Sequence, residues 1–192
     1  MKIFAILAAA LMTMASVAKA DTAVDYSALQ AQTMATASQF AGLKWKVGDK
    51  ASYTVDIGGF IKGTSENYVR DVSATDIWMV QDMDLGFAGK QKIEIDIDAG
   101  SGQIKKILAN GQEQQIPSAA DQEIVEMKQD HITVAAGAFD CIYAKIKSKK
   151  DGSIQEAWIN PQQIPMEGLL KMLGNSQFGA VTEELQKFEF GH

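Results

Sequence analysis

Beyond residue 45, hydrophobic and polar positions alternate with a period of two, the spacing of a strand with one face turned to a core. The alternation is cleanest from Lys90 to Asp98. There Ile93, Ile95 and Ile97 share one phase, and Lys92, Glu94, Asp96 and Asp98 the other. Lys50 to Ile57 repeats it, with Ala51, Tyr53, Val55 and Ile57 in one phase and Gly58-Gly59 as the stop. Further strands are predicted over 64–72, 77–83 and 103–109, the 77–83 strand being apolar on both faces around Trp78. Polar turns at 73–76 and 99–102 and a loop at 84–89 separate them. Asn110-Gly111 is a tight-hairpin signal. Residues 112–120 read as a polar connection, and 121–134 fit either a strand or a short helix, with His131 to Val134 the more strand-like part.

The stretch from Val134 to Leu173 organises the rest. VAAGAFDCIYAKIKSKK reads as a strand that is apolar on both faces, with Phe139, Cys141 and Tyr143 on one side and Ile142, Ala144 and Ile146 on the other. That pattern belongs to a central, covered strand. A turn at Asp151-Gly152 and a second strand through Trp158 complete a hairpin. Met166, Leu169, Leu170 and Leu173 then fall at i, i+3, i+4 and i+7 between Pro165 and Gly174, which predicts a short apolar helix near 166–173. Such a stripe serves either as core packed over the sheet or as one wall of an apolar site. Val181 to Phe190 closes the chain as a strand. Near the start, the alanine-rich segment 23–42 predicts a helix capped by Asp21 or Thr22 and ended by Gly42, with a partly disordered arm as the alternative.

Eight or nine strands with short connections leave no room for crossover helices, so the sheet is expected to be antiparallel. Residues 1–20 have the form of a secretory signal peptide. Lys2 precedes an apolar run from Ile3 to Val17, and Ala18-Lys19-Ala20 is an A-x-A cleavage site. The run is shorter than the ~20 residues of a spanning helix. The expectation is a single β-rich exported domain over 21–192, periplasmic or secreted, without a stable membrane anchor.

Composition narrows the chemistry. Losing Lys2 and Lys19 with the signal takes the 18 basic residues to 16 against 24 acidic ones, a net charge of −8. Arg70 is the single arginine. Phosphate-neutralising clusters are missing from the sequence, so nucleic acid is not an expected partner. Cys141 is the single cysteine, which rules out an intramolecular disulfide and suits a small core residue. Two histidines cannot build a histidine-rich metal site. Asp96-Ile97-Asp98-Ala99-Gly100 is superficially like a calcium loop but lacks the sixth-position glycine and the closing glutamate. No nucleophile elbow, phosphate loop, dinucleotide fingerprint or zinc helix is present. The sequence thus nominates no catalytic residue, no metal ligand and no cofactor.

The signal peptide, the N-terminal helix, the successive meander strands, the strand entry Gly137-Ala138-Phe139-Asp140-Cys141, and Trp158 followed by Ile164-Pro165 and Gly168-Leu169-Leu170-Lys171 together resemble the envelope lipid- and lipoprotein-carrier superfamily, the LolA/LolB-like fold. The resemblance covers most of residues 24–190 as a pattern. It implies a curved antiparallel sheet or incomplete barrel holding an acyl-chain-sized apolar surface. The fold class expected is therefore α+β, mostly β, with the N-terminal helix and the short helix near 166–173. The function expected is non-catalytic binding or carriage of a lipid, a lipidated protein or another apolar ligand, with an envelope protein as a further candidate partner. Trp78, Phe139, Trp158, Met166, Leu169, Leu170 and Leu173 are the candidate ligand-binding residues. Two other readings fit the same sequence: an envelope interaction or scaffold domain with a filled core, and a hydrolase without a recognisable motif.

Overall fold

The structure, a computed structural model, describes residues 44–192 apart from Pro117 and Gln177. The signal sequence and the 23–42 helix fall outside the described residues. Eleven strands form one antiparallel sheet: β1 (Lys50–Ile57), β2 (Ile61–Val72), β3 (Asp76–Asp84), β4 (Lys90–Asp98), β5 (Ile104–Ala109), β6 (Gln112–Gln114), β7 (Gln122–Val134), β8 (Gly137–Ser148), β9 (Ile154–Ile159), β10 (Leu169–Ser176) and β11 (Gly179–Glu189). Their order across the sheet is β6-β5-β4-β3-β2-β1-β11-β10-β9-β8-β7. Two meanders, β1 to β6 and β7 to β11, are joined where the last strand pairs with the first, Tyr53 opposite Leu185 and Ile57 opposite Val181.

Chain length forces this sheet to roll up. Neighbouring strands lie about 4.8 Å apart, so ten flat intervals would separate the two edges by about 48 Å. β6 and β7 are those two edges, yet residues 115–121 connect them. Eight residue steps reach at most about 29 Å. Register shifts at Ser52/Tyr53, Val69/Asp71, Asp96/Ile97, Ile124/Glu126 and Leu169/Lys171 supply local bends. β7 accordingly comes round to approach β11.

The alternating residues then divide as the sequence predicts. Tyr53, Val55, Ile57, Val69, Ile77, Met79, Ile93, Ile95, Ile97, Ile107, Met172, Val181 and Leu185 are all buried in one continuous core on the inner face. Among the described residues no α-helix accompanies the sheet; the helical elements are two single 3-10 turns at Gly86–Ala88 and Ala119–Asp121.

The helix expected near 166–173 is not formed. Residues 169–173 are instead the first part of β10, paired with β9 on one edge and β11 on the other. A two-turn helix is marginal in water, and two ladders of backbone hydrogen bonds outweigh it. The apolar spacing that suggests a helix arises because a bulge places Leu169 and Leu170 side by side in the core, after which Met172 points inward and Lys171 and Leu173 outward. Residues 121–134, ambiguous in sequence, are strand throughout from Gln122.

Candidate functional site

The inner face is apolar apart from Gln91 on β4, Gln155 on β9 and one cluster of polar side chains. Ser65 and Asn67 stand on β2 in phase with Ile61 and Val69. Gln81 stands on β3 between Met79 and Met83, and Glu183 on β11 between Val181 and Leu185. Strand alternation therefore turns each of them inward. The fifth member, Glu167, comes from the loop 160–168, between β9 and β10. All five are buried to within 1 % of complete exclusion from solvent.

Their contacts report how tightly the sheet is rolled. Gln81 Nε2 lies 3.5 Å from Glu183 Oε1 although β2 and β1 intervene. Asn67 Nδ2 donates to Glu167 Oε1 at 2.9 Å, which requires the 160–168 loop to fold across the inner face. The Tyr53 hydroxyl reaches over β11 to donate to the Leu169 carbonyl at 3.3 Å. Gln81 Nε2 also donates to Ser65 Oγ at 2.9 Å, and Ser65 Oγ to Asn67 Oδ1 at 3.1 Å.

Burial sets the protonation. Removal from water disfavours a carboxylate. The Glu183 carboxyl is pushed up to about 8 by burial first and by the neighbouring Glu167 second. Glu167 is raised by burial, against opposing hydrogen bonds that include the one from Asn67. The Tyr53 phenol is also pushed up, by burial and then by the two glutamates. At neutral pH Glu183 is thus held predominantly as the neutral acid. Three oxygens of the cluster accept no hydrogen bond from a neighbouring donor: Gln81 Oε1, Glu167 Oε2 and Glu183 Oε2.

The loop that brings in Glu167 is conformationally committed. Met166 has φ 58°, a left-handed conformation costly for a side chain with a Cβ. Gly168 has φ 71°, and a Cβ there would sit 2.4 Å from the Pro161 nitrogen, so only glycine fits. The outer side of this loop forms one wall of a cleft of about 420 Å³, within the range of small-ligand sites. Trp45, Ile164, Met166 and Phe190 line its apolar part, Asp49 its side, and exposed Lys44 and Lys46 its mouth. Ile164 and Met166 belong also to the core, so the cleft abuts the inner face directly.

The sequence-derived candidates divide into two groups. Met166, Leu169 and Leu170 are buried together in the core. Trp78 instead lies on the outer face of β3 with the Arg70 guanidinium 4.9 Å from its ring centre. Trp158, facing out from β9, packs at 5.1 Å against Tyr143 and donates Nε1–H to Asp130 at 2.8 Å. Leu173 is half-buried opposite Thr182 and Glu156. Phe139 packs edge-on against Phe188 at 6.4 Å. The buried polar cluster is absent from that set of candidates. Its signal was present all the same: a polar residue standing in the apolar phase of a strand, as Glu183 does between Val181 and Leu185.

Among the described residues no group of three or more His, Cys, Asp or Glu is placed to hold a metal ion. No helix among them is long and apolar enough to cross a membrane.

No family model matches the chain, and no curated protein matches it. Solved structures do. MucB is similar at 12 % identity and a TM-score of 0.45, over 85 % of this chain and 60 % of its own. A Bacteroides fragilis protein with a YmcC-like fold is similar at 8 % identity and 0.41, over 76 % of this chain and 97 % of its own. A hypothetical protein from Chlamydia trachomatis is similar at 12 % identity and 0.44, over 77 % and 89 %. This chain thus spans less than two thirds of MucB.

Proposed function

We propose that this protein binds an amphiphile non-catalytically within its rolled sheet, as a periplasmic carrier or receptor for a lipid or for the acyl chains of a lipidated protein. One observation carries the reading: a largely apolar inner face, with Ile164 and Met166 lying between it and a cleft of about 420 Å³. Met79, Met83, Met166 and Met172 line that face and give it side chains that re-pack at low cost. Met166, Leu169 and Leu170 would contact the ligand. Trp78, Trp158 and Leu173, facing outward, would not, and Phe139 would contribute at the rim beside Phe188.

The same face also favours a second reading. Its apolar side chains are 0–3 % exposed over β1 to β4, as expected of a scaffold domain with a filled core. Titration with a pyrene-labelled monoacylglycerol, an acyl chain on a neutral head, separates the two. Carriage predicts saturable binding, weakened at least tenfold by Met166→Glu in a variant with an unchanged β-sheet circular dichroism spectrum. Lack of saturable binding to wild-type protein would leave the scaffold.

A further inference from the structure

The polar island inside the apolar face holds more acceptors than donors. Asn67 Nδ2 is given to Glu167 Oε1, Gln81 Nε2 to Ser65 and Glu183, and the Tyr53 hydroxyl to the Leu169 carbonyl. Ser65 has one hydroxyl proton to divide between Asn67 Oδ1 and Glu183. Gln81 Oε1, Glu167 Oε2 and Glu183 Oε2 remain without a donor. No lysine, arginine or histidine is among the buried residues described; Lys44 and Lys46 are exposed at the cleft mouth. A phosphate, sulfate or carboxylate head would meet oxygens carrying its own sign of charge, with no buried cation to offset them.

We infer that Glu183, Glu167 and Gln81 form the head-group subsite of the amphiphile site, and that the head they take is a primary ammonium. The inference rests on the amphiphile reading above. A primary ammonium has three N–H donors, matching the three oxygens in number, and an alkyl tail behind it would lie along the apolar face. Glu167 is carried by the 160–168 loop, so the ligand enters from the adjacent cleft when that loop lifts, and the loop closes on it through Glu167.

The step has a definite proton balance. Without an amine Glu183 carries its proton, and burial raises the neighbouring Glu167 in the same direction. Binding a charged R–NH3⁺ forms an ion pair with one carboxylate, and the proton displaced from that carboxyl leaves to solvent. The titratable groups that face the site are Glu183 from β11, Glu167 from the loop and Tyr53 from β1. Tyr53 keeps its proton throughout.

The test compares three twelve-carbon ligands below their micelle concentrations at pH 7: dodecylamine, dodecanoate and dodecyltrimethylammonium. The last carries the charge without N–H donors. The expected order is dodecylamine tighter than either of the others by tenfold or more, with close to one proton released per amine bound in weakly buffered calorimetry. Glu183→Gln, an isosteric and permanently neutral variant, should lose tenfold or more of the amine affinity and the proton release. Its β-sheet circular dichroism spectrum should match that of the wild-type protein, so the loss is read as binding and not as unfolding. Equal binding of all three ligands, or amine binding unchanged in both Glu183→Gln and Glu167→Gln, would overturn the subsite and leave the amphiphile reading standing. Failure of every acylated or alkyl ligand to bind would remove both.

Discussion

At the scale of single residues, the protein is defined by polar side chains in apolar positions. Each costs free energy to bury unless its hydrogen bonds are met. The linkage sign for Glu183 follows from its raised value. The folded protein holds this proton up to about pH 8, whereas the unfolded chain releases it near the ordinary glutamate value of 4.5. Between those values the folded state binds more protons, so stability is greatest at the acid end and falls as pH rises through the window. The slope is on the order of 1 kcal/mol per pH unit for one such group. Chemical denaturation at pH 5, 6.5 and 8 should show this decline, and Glu183→Gln should make it shallower. An equal slope in the variant would place the titration elsewhere. Asp98, Asp130 and Asp151 are pulled below the ordinary carboxylate range by hydrogen bonds they accept, so their effects fall at lower pH, whereas Glu167 and Asp96 are raised by burial and act in the same direction as Glu183. Cys141 behaves as its sequence suggests: it is buried, and burial with Asp130 and Asp140 nearby pushes its thiol up to about 11.

At the scale of elements, local pattern was informative wherever one face is buried and the other wet. Lys50–Ile57 and Lys90–Asp98 have in the structure the same limits that alternation gives them. Asn110-Gly111 is a tight turn with both residues at positive φ. Legibility failed at β10, which pairs on both edges, because Met166, Leu169, Leu170 and Leu173 fall at helical spacing, and the bulge that accommodates them in a strand is set by long-range pairing. It failed at β6 too, a strand of three residues too short to show a period. The corrected geometry changes what a charge in this segment should do. Leu169 is fully buried, so Leu169→Asp should cost about 4 kcal/mol or more. Leu173 faces outward opposite Glu156, so Leu173→Asp should cost about 1 kcal/mol, chiefly from juxtaposed like charges. Denaturant midpoints measure both. A helix with both leucines on one apolar stripe would give similar losses, so comparable values would contradict the strand assignment.

At the scale of the whole molecule, the organising fact is that the last strand lies in the middle. Nothing local in Val181 to Phe190 announces this. The strand finds its partners across 130 residues, Thr54 opposite Glu184, and no spacing within the segment encodes a contact at that separation. Yet the consequence is large, because β11 is the ladder that joins the two meanders, with β1 on one edge and β10 on the other. It also delivers Val181, Glu183 and Leu185 to the core and the polar cluster. Removing residues 179–192 would therefore do more than shorten an edge. It would leave β1 and β10 each with an unpaired inner edge, and Gln81, Tyr53 and Glu167 without the carboxyl at their centre. A chain ending at residue 178 is expected to lose the single cooperative denaturation transition and to bind a dye specific for exposed apolar surface. A synthetic peptide of residues 179–192 added in trans should restore the transition, since the vacated position offers a backbone ladder on both sides. A truncated chain that still unfolds in one transition, within a few degrees of the full-length melting temperature, would show that the two meanders hold together without the strand between them.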